Sequence, residues 1–225
     1  MLGPVDAPIL HADESLLVVD KPAGVLSVPG RGEAGRINLL SHLRLRWPDA
    51  QVVHRLDMAT SGLMLFARGA AAQAALSAAF RERRVAKAYE AIVHGLLAPE
   101  HGEIDLPLAA DWPNRPRQQV DRMRGRPSLT RWRVLQRDPA AQRTRLALEP
   151  VTGRSHQLRV HLQAIGHPIV GDALYGPVAG CGVAGPRLLL HATRLQLSHP
   201  ATGALMAFVG PAPFSLQPHP GWISA

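Results

Sequence analysis

The stretch His54-Arg55-Leu56-Asp57, followed by Thr60-Ser61-Gly62-Leu63, is the most informative part of this chain. It places an imidazole, a guanidinium and a carboxylate within four residues, and the apolar run Leu63-Met64-Leu65-Phe66 comes directly after it. This order predicts an acidic residue in a loop beside a short buried strand. An anionic Asp57 in such a loop is a candidate nucleophile. The alternative is that Asp57 caps a turn or pairs with Arg55.

Two later segments extend this pattern in a fixed order. They are Lys87-Ala88-Tyr89-Glu90-Ala91 and the longer Gly153-Arg154-Ser155-His156-Gln157-Leu158-Arg159-Val160-His161-Leu162, which residues 166–172 continue. Together with His-Arg-Leu-Asp-x-x-Thr-Ser-Gly, they resemble the motifs of the RluA family of RNA pseudouridine synthases. The resemblance runs from about Leu17 to about Pro200, and three ordered motifs are far more specific than one short pattern.

Composition describes a globular intracellular protein. Its 225 residues allow one large domain or two small ones, and an apolar content of 46% is ample for a core. Cys181 is the sole cysteine, so no internal disulfide can form and we expect a reducing, cytoplasmic compartment. The acidic residues Asp6, Asp13 and Glu14 do not fit a signal peptide. No apolar run approaches the ~20 residues of a membrane span, so we expect no membrane partner.

The positive charge is concentrated in two arginine clusters. The net charge is +8, and seven arginines fall between positions 115 and 133 against the single acid Asp121: Arg115, Arg117, Arg122, Arg124, Arg126, Arg131 and Arg133. A second cluster comprises Arg81, Arg83, Arg84 and Lys87. Arginine pairs phosphate oxygens bidentately and stacks on bases, so the clusters favour a nucleic-acid partner. The alternative is a solvated charged face.

Hydrophobic periodicity predicts many short strands and three helices. We expect strands at 16–19, 25–28, 63–67, 88–93, 129–135, 145–148, 188–190, 195–197 and 204–209, and helices at 37–47, 70–83 and 154–165. This content predicts an α+β fold around a mixed, largely antiparallel sheet. The family resemblance implies the pseudouridine synthase fold, in which helices flank such a sheet and a central cleft binds RNA. Residues 177–186 are expected to form a surface loop.

The resemblance also implies the domain organisation. The catalytic segment that it implies begins almost at residue 15, so we expect residues 1–14 to be an N-terminal extension and 15–225 a single catalytic domain. A separate N-terminal RNA-binding domain, which many relatives carry, does not fit. We expect a monomer.

The implied reaction requires a carboxylate and no redox cofactor. Pseudouridine formation breaks the N-glycosidic bond of uridine and rejoins the uracil through C5, so a nucleophilic or basic carboxylate must lie near the sugar and base. Asp57 takes this role by resemblance. Whether it attacks C1′, attacks C6 or removes a sugar proton stays open. Histidines 156, 161, 167, 191 and 199 lack the spacing and carboxylate of a metal site, so no metal is expected.

The resemblance assigns partners to Asp57. Arg154 is the cation that keeps the carboxylate ionised against desolvation, Tyr89 stacks on the uracil, and Leu158 packs on the other side of the base. Both Tyr89 and Leu158 can equally be core residues. The target uridine must leave its stack, and Arg55, two residues before Asp57 and on the same face if that stretch is extended, can fill the space.

The remaining predicted contacts orient the loop or hold RNA. We expect His54 to orient the Asp57 loop through a hydrogen bond. The other predicted RNA contacts are Lys87, Arg115, Arg117 and Arg124.

The resemblance narrows the RNA target. Residues 54–62, the segment Asp111-Trp112-Pro113-Asn114-Arg115-Pro116 and the long third motif resemble the branch of the family with two targets, stem-loops of 23S ribosomal RNA and of the tRNA anticodon arm. The alternatives are another RNA target within the family and a non-catalytic RNA-binding protein. A glycosidase needs a second placed carboxylate, which no motif supplies. Trp112 can also be a core residue.

Overall fold

A computed structural model describes residues 5–30, 32, 35, 37–177 and 187–216. The chain forms two compact units. The first unit comprises Met1–Lys87 and His191–Pro211, and the second comprises Ala88–Leu190 and Ala212–Ala225. The surface loop expected at 177–186 lies, apart from Pro177, outside the described residues.

Twelve strands and three helices occur in the described part of the chain. In chain order they are β1 (Ile9–Ala12), β2 (Leu16–Lys21), α1 (Leu39–Leu43), β3 (Ala50–Val52), β4 (Ser61–Arg68), α2 (Gly69–Arg81), β5 (Ala86–His94), β6 (His101–Asp105), β7 (Leu108–Ala110), β8 (Gln118–Val120), β9 (Leu129–Asp138), β10 (Arg143–Pro150), α3 (Gln157–Ala164), β11 (Leu190–Ser198) and β12 (Leu205–Val209).

Strand β4 is the centre of the first unit. It pairs antiparallel with β2 and β3 and parallel with β11, while β1 and β12 extend the sheet antiparallel to β2 and β11. Residues Ser61 to Ala67 are all buried, which explains why this strand reads as a continuous apolar run rather than an alternating one. The buried strand therefore gives rigid support to the loop that contains Asp57 and precedes it in the chain.

Helix α2 covers this sheet. Its Leu76 and Ala79 are buried in a cluster with Leu63 and Leu65 of β4. Alanine favours the helix, and Arg81 in its last turn complements the helix dipole. Burying each leucine contributes about 1.5–3 kcal/mol, so this cluster is a major source of the stability of the first unit.

The second unit contains an antiparallel series of strands and a separate hairpin. Strand β10 pairs with β5 and β9, β9 pairs with β6, and β7 and β8 form the two-stranded hairpin. In β9, Thr130, Trp132 and Val134 are buried, whereas Arg131 and Arg133 are exposed. This alternation is what a sheet with one solvated face requires.

The predicted fold class, α+β with a mixed and largely antiparallel sheet, is confirmed. The strand predicted at 25–28 is wrong. The carbonyls of Leu26 and Ser27 accept hydrogen bonds from Leu39 and Leu40, the first residues of α1, so this segment caps a helix instead of joining the sheet. Only an isolated bridge joins Leu26 to Asn38.

Three further boundaries differ from expectation. In place of the strands predicted at 188–190 and 195–197 there is one continuous strand, β11, which begins only at Leu190 and crosses the predicted gap, where Ala192 and Thr193 are buried. Helix α1 is shorter than predicted, and α3 starts at Gln157 rather than 154, because His156 adopts a left-handed conformation that helices exclude. Strand β1 falls within the expected extension 1–14 and pairs with β2. Across the described residues, no helix has the length and apolar character to cross a membrane.

Candidate active site

The Asp57 loop connects β3 to β4 and is fastened through the backbone of Leu56. The Ser27 hydroxyl donates to the Leu56 carbonyl at 2.7 Å and accepts from the Leu56 N–H at 3.2 Å. Leu56 is 7% exposed, Arg55 is exposed and Asp57 is half-buried. This alternation agrees with an extended stretch in which Arg55 and Asp57 share the solvent-facing side. The buried leucine thus fixes the two polar neighbours.

The Thr60-Ser61-Gly62 segment joins the loop to β4. The N–H of Thr60 donates to the Asp57 carbonyl at 3.1 Å, which closes the turn. The Ser61 hydroxyl lies 2.8 Å from Nδ1 of His191 on β11. Gly62 has φ +110°, and a Cβ there would lie 2.4 Å from the backbone of Ala192, so only glycine fits. The turn is at residues 57–60, and Ser61 and Gly62 already belong to the strand.

Lys21 anchors the same loop from below. Its side chain is fully buried, and Nζ donates to the carbonyls of Pro22 at 2.9 Å, Val25 at 2.7 Å and Met58 at 3.1 Å. A buried ammonium requires such partners to offset its desolvation. The Met58 carbonyl, which directly follows Asp57, also accepts from the N–H of Gly24 at 2.8 Å. Lys21 therefore fixes the backbone next to Asp57.

His54 ties the start of the loop to β4. Its Nε2 accepts a hydrogen bond from the N–H of Leu65 at 2.9 Å, so the neutral ring carries its proton on Nδ1. The ring stacks on Phe80 of α2 with centroids 4.5 Å apart. Burial, aided by the positive charge of Lys87, lowers the pKa of His54 to about 3. Burial also lowers the pKa of Lys87. At neutral pH His54 is an uncharged anchor.

Tyr89 lies on β5 in the second unit. It is half-buried and pairs in register with Leu148 of β10. The neighbouring Glu90 accepts a hydrogen bond from Nε of Arg145 on β10 at 2.8 Å, an ion pair that locks the two strands together. Tyr89 is therefore presented from a firmly paired strand.

Arg154 lies in the loop between β10 and α3, three residues before the first helical residue. Its Nε and Nη2 each lie 3.4 Å from the Pro127 carbonyl, at the long end of hydrogen-bond distances. Its backbone N–H donates to Oε1 of Gln157 at 3.0 Å. Arg154 therefore lies before the helix and not at its predicted start.

Gln157 fastens the Arg154 loop to β9. It is 3% exposed, and its Oε1 accepts from the Thr152 hydroxyl at 2.7 Å. Its Nε2 lies 2.9 Å from the Leu129 carbonyl and 3.0 Å from the Thr130 hydroxyl. Every polar atom of the amide has a partner, which is what a buried glutamine needs. Gln157 thereby positions the backbone of Arg154.

These observations accompany a clear family match. The family model for RNA pseudouridylate synthases matches residues 15–164. The chain belongs to this family. Its members are RNA-modifying isomerases, so the chain is an RNA pseudouridine synthase by family. The family that the sequence motifs resemble is thereby confirmed.

Full-length relatives agree with this assignment. The chain is 49% identical over 207 residues to the dual-specificity RNA pseudouridine synthase RluA of Salmonella typhi, covering 92% of this chain and 93% of that protein. It is 48% identical, with the same coverage, to RluA of Escherichia coli strain K12. Among solved structures, human RNA pseudouridylate synthase domain containing 1 superposes with a TM-score of 0.80 and 32% identity, covering 96% of this chain and 87% of that one.

The predicted site residues divide between the two units. Arg55, His54, Asp57 and Lys87 lie in the first unit, and the others lie in the second. Leu158 of α3 is 7% exposed. Of the predicted arginine contacts, Arg115 and Arg124 are exposed and Arg117 is half-buried. Within the described residues, no group of three or more His, Cys, Asp or Glu side chains could hold a metal ion.

Three supporting residues escaped the sequence analysis. Lys21, Ser27 and Gln157 are buried polar residues that hold the loops of Asp57 and Arg154. Of the three, only Gln157 belongs to one of the motifs, the third. Trp112, weighed as a core residue, is 66% exposed.

Proposed function

We propose that this chain converts specific uridines to pseudouridine in stem-loops of 23S ribosomal RNA and of the tRNA anticodon arm, with Asp57 as the essential carboxylate. The observation that carries the proposal is the immobilised Asp57 loop, in which Lys21, Ser27 and His54 fix the backbone on both sides of a half-buried carboxylate. The relatives at 48–49% identity are named for dual specificity, which supports two RNA targets.

Asp57 needs a fixed position because the reaction depends on geometry. A reacting carboxylate must stand close to its target atom in a productive orientation, and preorganisation of this kind supplies much of a catalytic effect. The hydrogen bonds to Leu56 and Met58 hold the backbone on both sides of Asp57. The side chain itself can then act as nucleophile or base on the sugar or the uracil.

Tyr89, Arg154 and Leu158 act on the substrate as the family resemblance indicates. Tyr89 stacks its ring on the target uracil, and Leu158 supplies an apolar surface. Arg154 provides the positive charge that keeps a desolvated carboxylate ionised. Its contacts with the Pro127 carbonyl are long and neutral, so an anion can replace them at little cost.

Arg55 and the arginine clusters contact the RNA around the target uridine. Arg55 is exposed beside Asp57 and fills the space that the flipped uridine leaves. His54, in contrast, acts on RNA only through the loop that it anchors. Lys87, Arg115, Arg117 and Arg124 bind the phosphate backbone. Hairpin loops present bases that unstack at low cost, which favours stem-loops as substrates. We further propose that the chain works as a cytoplasmic monomer with a single catalytic domain.

Two measurements test this function. Purified protein is incubated with hairpins of the anticodon arm and of 23S RNA that carry uridine tritiated at C5, and tritium release is followed. Release from both hairpins is expected, with modified positions that match the sites lost in cells lacking the protein. Binding without release would leave a non-catalytic RNA-binding protein, and release from neither hairpin but from another RNA would place the chain elsewhere in the family.

A further inference from the structure

The hairpin of β7 and β8 presents an exposed indole at its tip. The tip, residues 111–117, is closed by hydrogen bonds between the backbones of Asp111 and Arg117 at 3.0 Å and of Asn114 and Asp111 at 3.1 Å. The Asn114 side-chain amide also donates to both carboxylate oxygens of Asp111 at 3.0 Å. Trp112 projects from this closed loop and is 66% exposed.

One face of the indole is already occupied by a cation. The guanidinium of Arg115 lies 3.4 Å from the centroid of the Trp112 ring, a close cation–π contact. In the described part of the chain, no other aromatic ring packs against Trp112, and the side chain joins no hydrophobic cluster. The pair therefore offers a broad aromatic surface and a charge together.

The hairpin that carries this pair is firmly anchored in the second unit. The N–H of Gln118, at the start of β8, donates to the Tyr175 hydroxyl at 2.7 Å, and Arg117 lies 5.4 Å above the Tyr175 ring. Leu108 of β7 packs in a buried cluster with Tyr175 and Val160 of α3. A platform fixed in this way loses little conformational entropy when a ligand stacks on it.

The chemistry around the tip selects the occupant. Arg115 is exposed at the tip beside Trp112, and Arg122, Arg124 and Arg126 are exposed in the segment that follows β8, at the other end of the hairpin. The hairpin thus carries cations at both ends, so a polyanion is favoured over an apolar protein surface. Unpaired nucleobases stack on exposed aromatic side chains, while neighbouring phosphates pair with arginine. A single-stranded segment of RNA satisfies both requirements at once.

We propose that Trp112 and Arg115 form a stacking platform for one unpaired base of the substrate RNA, distinct from the target uridine. The platform supplies affinity and loop selectivity rather than chemistry. This inference rests on the proposed function for the identity of the RNA, but the binding itself can be measured without catalysis.

The test combines a protein variant with an RNA in which one loop base has been removed. The dissociation constant of a tRNA anticodon hairpin is measured for wild type, Trp112→Ala and Trp112→Phe, and again with each loop nucleotide in turn made abasic. Trp112→Ala should weaken binding about tenfold or more, and Trp112→Phe by only a few-fold. At one loop position the abasic and Trp112→Ala losses should fail to add, because both remove the same stack.

Leu205→Ala provides the matched control, since Leu205 is also a large exposed apolar residue, 72% exposed. It should bind the hairpin like wild type. Additive losses at every position, or Trp112→Ala binding within twofold of wild type, would overturn the platform. So would a wild-type dimer that Trp112→Ala converts to a monomer, because Trp112 would then belong to a protein contact. If wild type releases no tritium but one position is still non-additive, the proposed function fails and the platform stands.

Discussion

The Asp57 loop and the Trp112 hairpin present polar groups to solvent in opposite ways. Around Asp57, the buried Lys21 and Ser27 bond the backbone of Met58 and Leu56, and the half-buried His54 bonds that of Leu65. Around Trp112, the tip is closed by its own hydrogen bonds and carries the exposed Arg115, and further exposed arginines follow β8. The Asp57 loop holds one carboxylate in a fixed position, whereas the Trp112 hairpin and the segment after it expose many positive charges.

Because of this difference, we expect the Asp57 loop to determine the turnover rate and the Trp112 hairpin to determine the affinity for RNA. A carboxylate that reacts at one atom loses its function if it moves by about 1 Å, so its support is buried and specific. Contacts with the RNA backbone are numerous and individually weak, so removing one of them lowers the RNA affinity only by a small amount. Changes in the Asp57 loop should therefore reduce turnover, whereas changes in the hairpin should reduce affinity and its dependence on salt.

The sharpest test of this separation is Asp57→Asn. The substitution keeps the shape of the side chain and removes its charge, so turnover should fall on the order of a thousandfold or more. RNA affinity should stay within a few-fold, because it depends on the arginines. Single-turnover tritium release and filter binding on the same hairpin measure the two quantities. Multiple turnover by a clean Asp57→Asn preparation would exclude Asp57 as the nucleophile.

Arg55→Ala should lower the rate by up to about a hundredfold on a structured hairpin. Arg55 is exposed beside Asp57 and offsets the few kcal/mol that base flipping requires. The control is a substrate whose target uridine is already unstacked, opposite an abasic site, on which the variant should react nearly as fast as wild type. Equal losses on both substrates would reduce Arg55 to a structural role.

Lys21→Met should lower stability and rate together. It keeps the length of the side chain but leaves the carbonyls of Pro22, Val25 and Met58 without their buried donor. An unsatisfied buried polar group costs about 1–3 kcal/mol, and the loosened loop should slow turnover about tenfold. Urea denaturation and tritium release at a temperature where the variant is folded measure the two effects.

Thr144→Ala is the matched control for Lys21→Met. Thr144 is fully buried in the second unit, and its hydroxyl bonds the Gly95 carbonyl at 2.8 Å and the Leu97 N–H at 3.2 Å. It should lose a similar amount of stability without slowing the folded enzyme. A normal rate for Lys21→Met would show that the loop keeps its geometry without the ammonium.

The sequence predicted those elements whose pattern is strong within one segment. The apolar run of β4, the alanine-rich α2 and the alternating β9 are confirmed close to their expected bounds. The short strands β6 and β8 were missed. Their residues are mostly polar, and they form strands because β9 and β7 supply the hydrogen-bond partners. Such pairing is a tertiary effect that local propensity does not reveal.

The same limit applies to the candidate site. The chemistry of Asp57 and Arg55 could be inferred from residue type and motif, but their supports could not. Ser27 bonds Leu56 across 29 residues, and Lys21 bonds Met58 across 37. Contacts with backbone atoms leave no compositional signature, because any residue can supply the partner.

The half-buried His54, whose ring is packed against Phe80, should make stability depend on pH. Its pKa falls from 6.5 to about 3 on folding, so the unfolded chain binds its proton first. The stabilisation is complete above pH 6.5 and is lost as the pH falls towards 3, at roughly 1.4 kcal/mol per pH unit. His54→Gln keeps an acceptor for Leu65 and does not titrate.

The difference between the two proteins isolates the contribution of His54. The unfolding free energy of wild type and His54→Gln is measured in urea from pH 7 to pH 4.5. The slope of wild type should exceed that of the variant by about one proton. Burial also lowers the pKa of His94 and His161, but these two histidines contribute equally to both proteins and cancel. Parallel slopes would mean that His54 binds its proton equally in the folded and the unfolded chain, and that folding does not lower its pKa.

The smallest effect should appear in the salt dependence of RNA binding. Neutralising Arg122 and Arg124 together, as Arg122→Gln and Arg124→Gln, removes two exposed cations next to the hairpin. Each lost phosphate contact flattens the slope of log K against log salt by about 0.7–0.9, so the pair should flatten it by about 1.4–1.8. The dissociation constant of the anticodon hairpin is measured between 50 and 200 mM salt, about the range in which counterion release is resolved.

Arg131 and Arg137 provide a control of equal charge. Arg131 lies 2.7 Å from Glu103 and Arg137 lies 2.6 Å from Glu100, so both guanidinium groups already have carboxylate partners within the protein. Neutralising them changes the net charge as much as the first pair does but should flatten the slope far less. If both pairs flatten the salt slope equally, the net charge of the protein drives binding, and the hairpin contributes no more to RNA binding than other charged surfaces. If only the first pair does, the exposed arginines that follow β8 make direct phosphate contacts, and a loop that fixes one carboxylate is then separate from a surface that binds RNA.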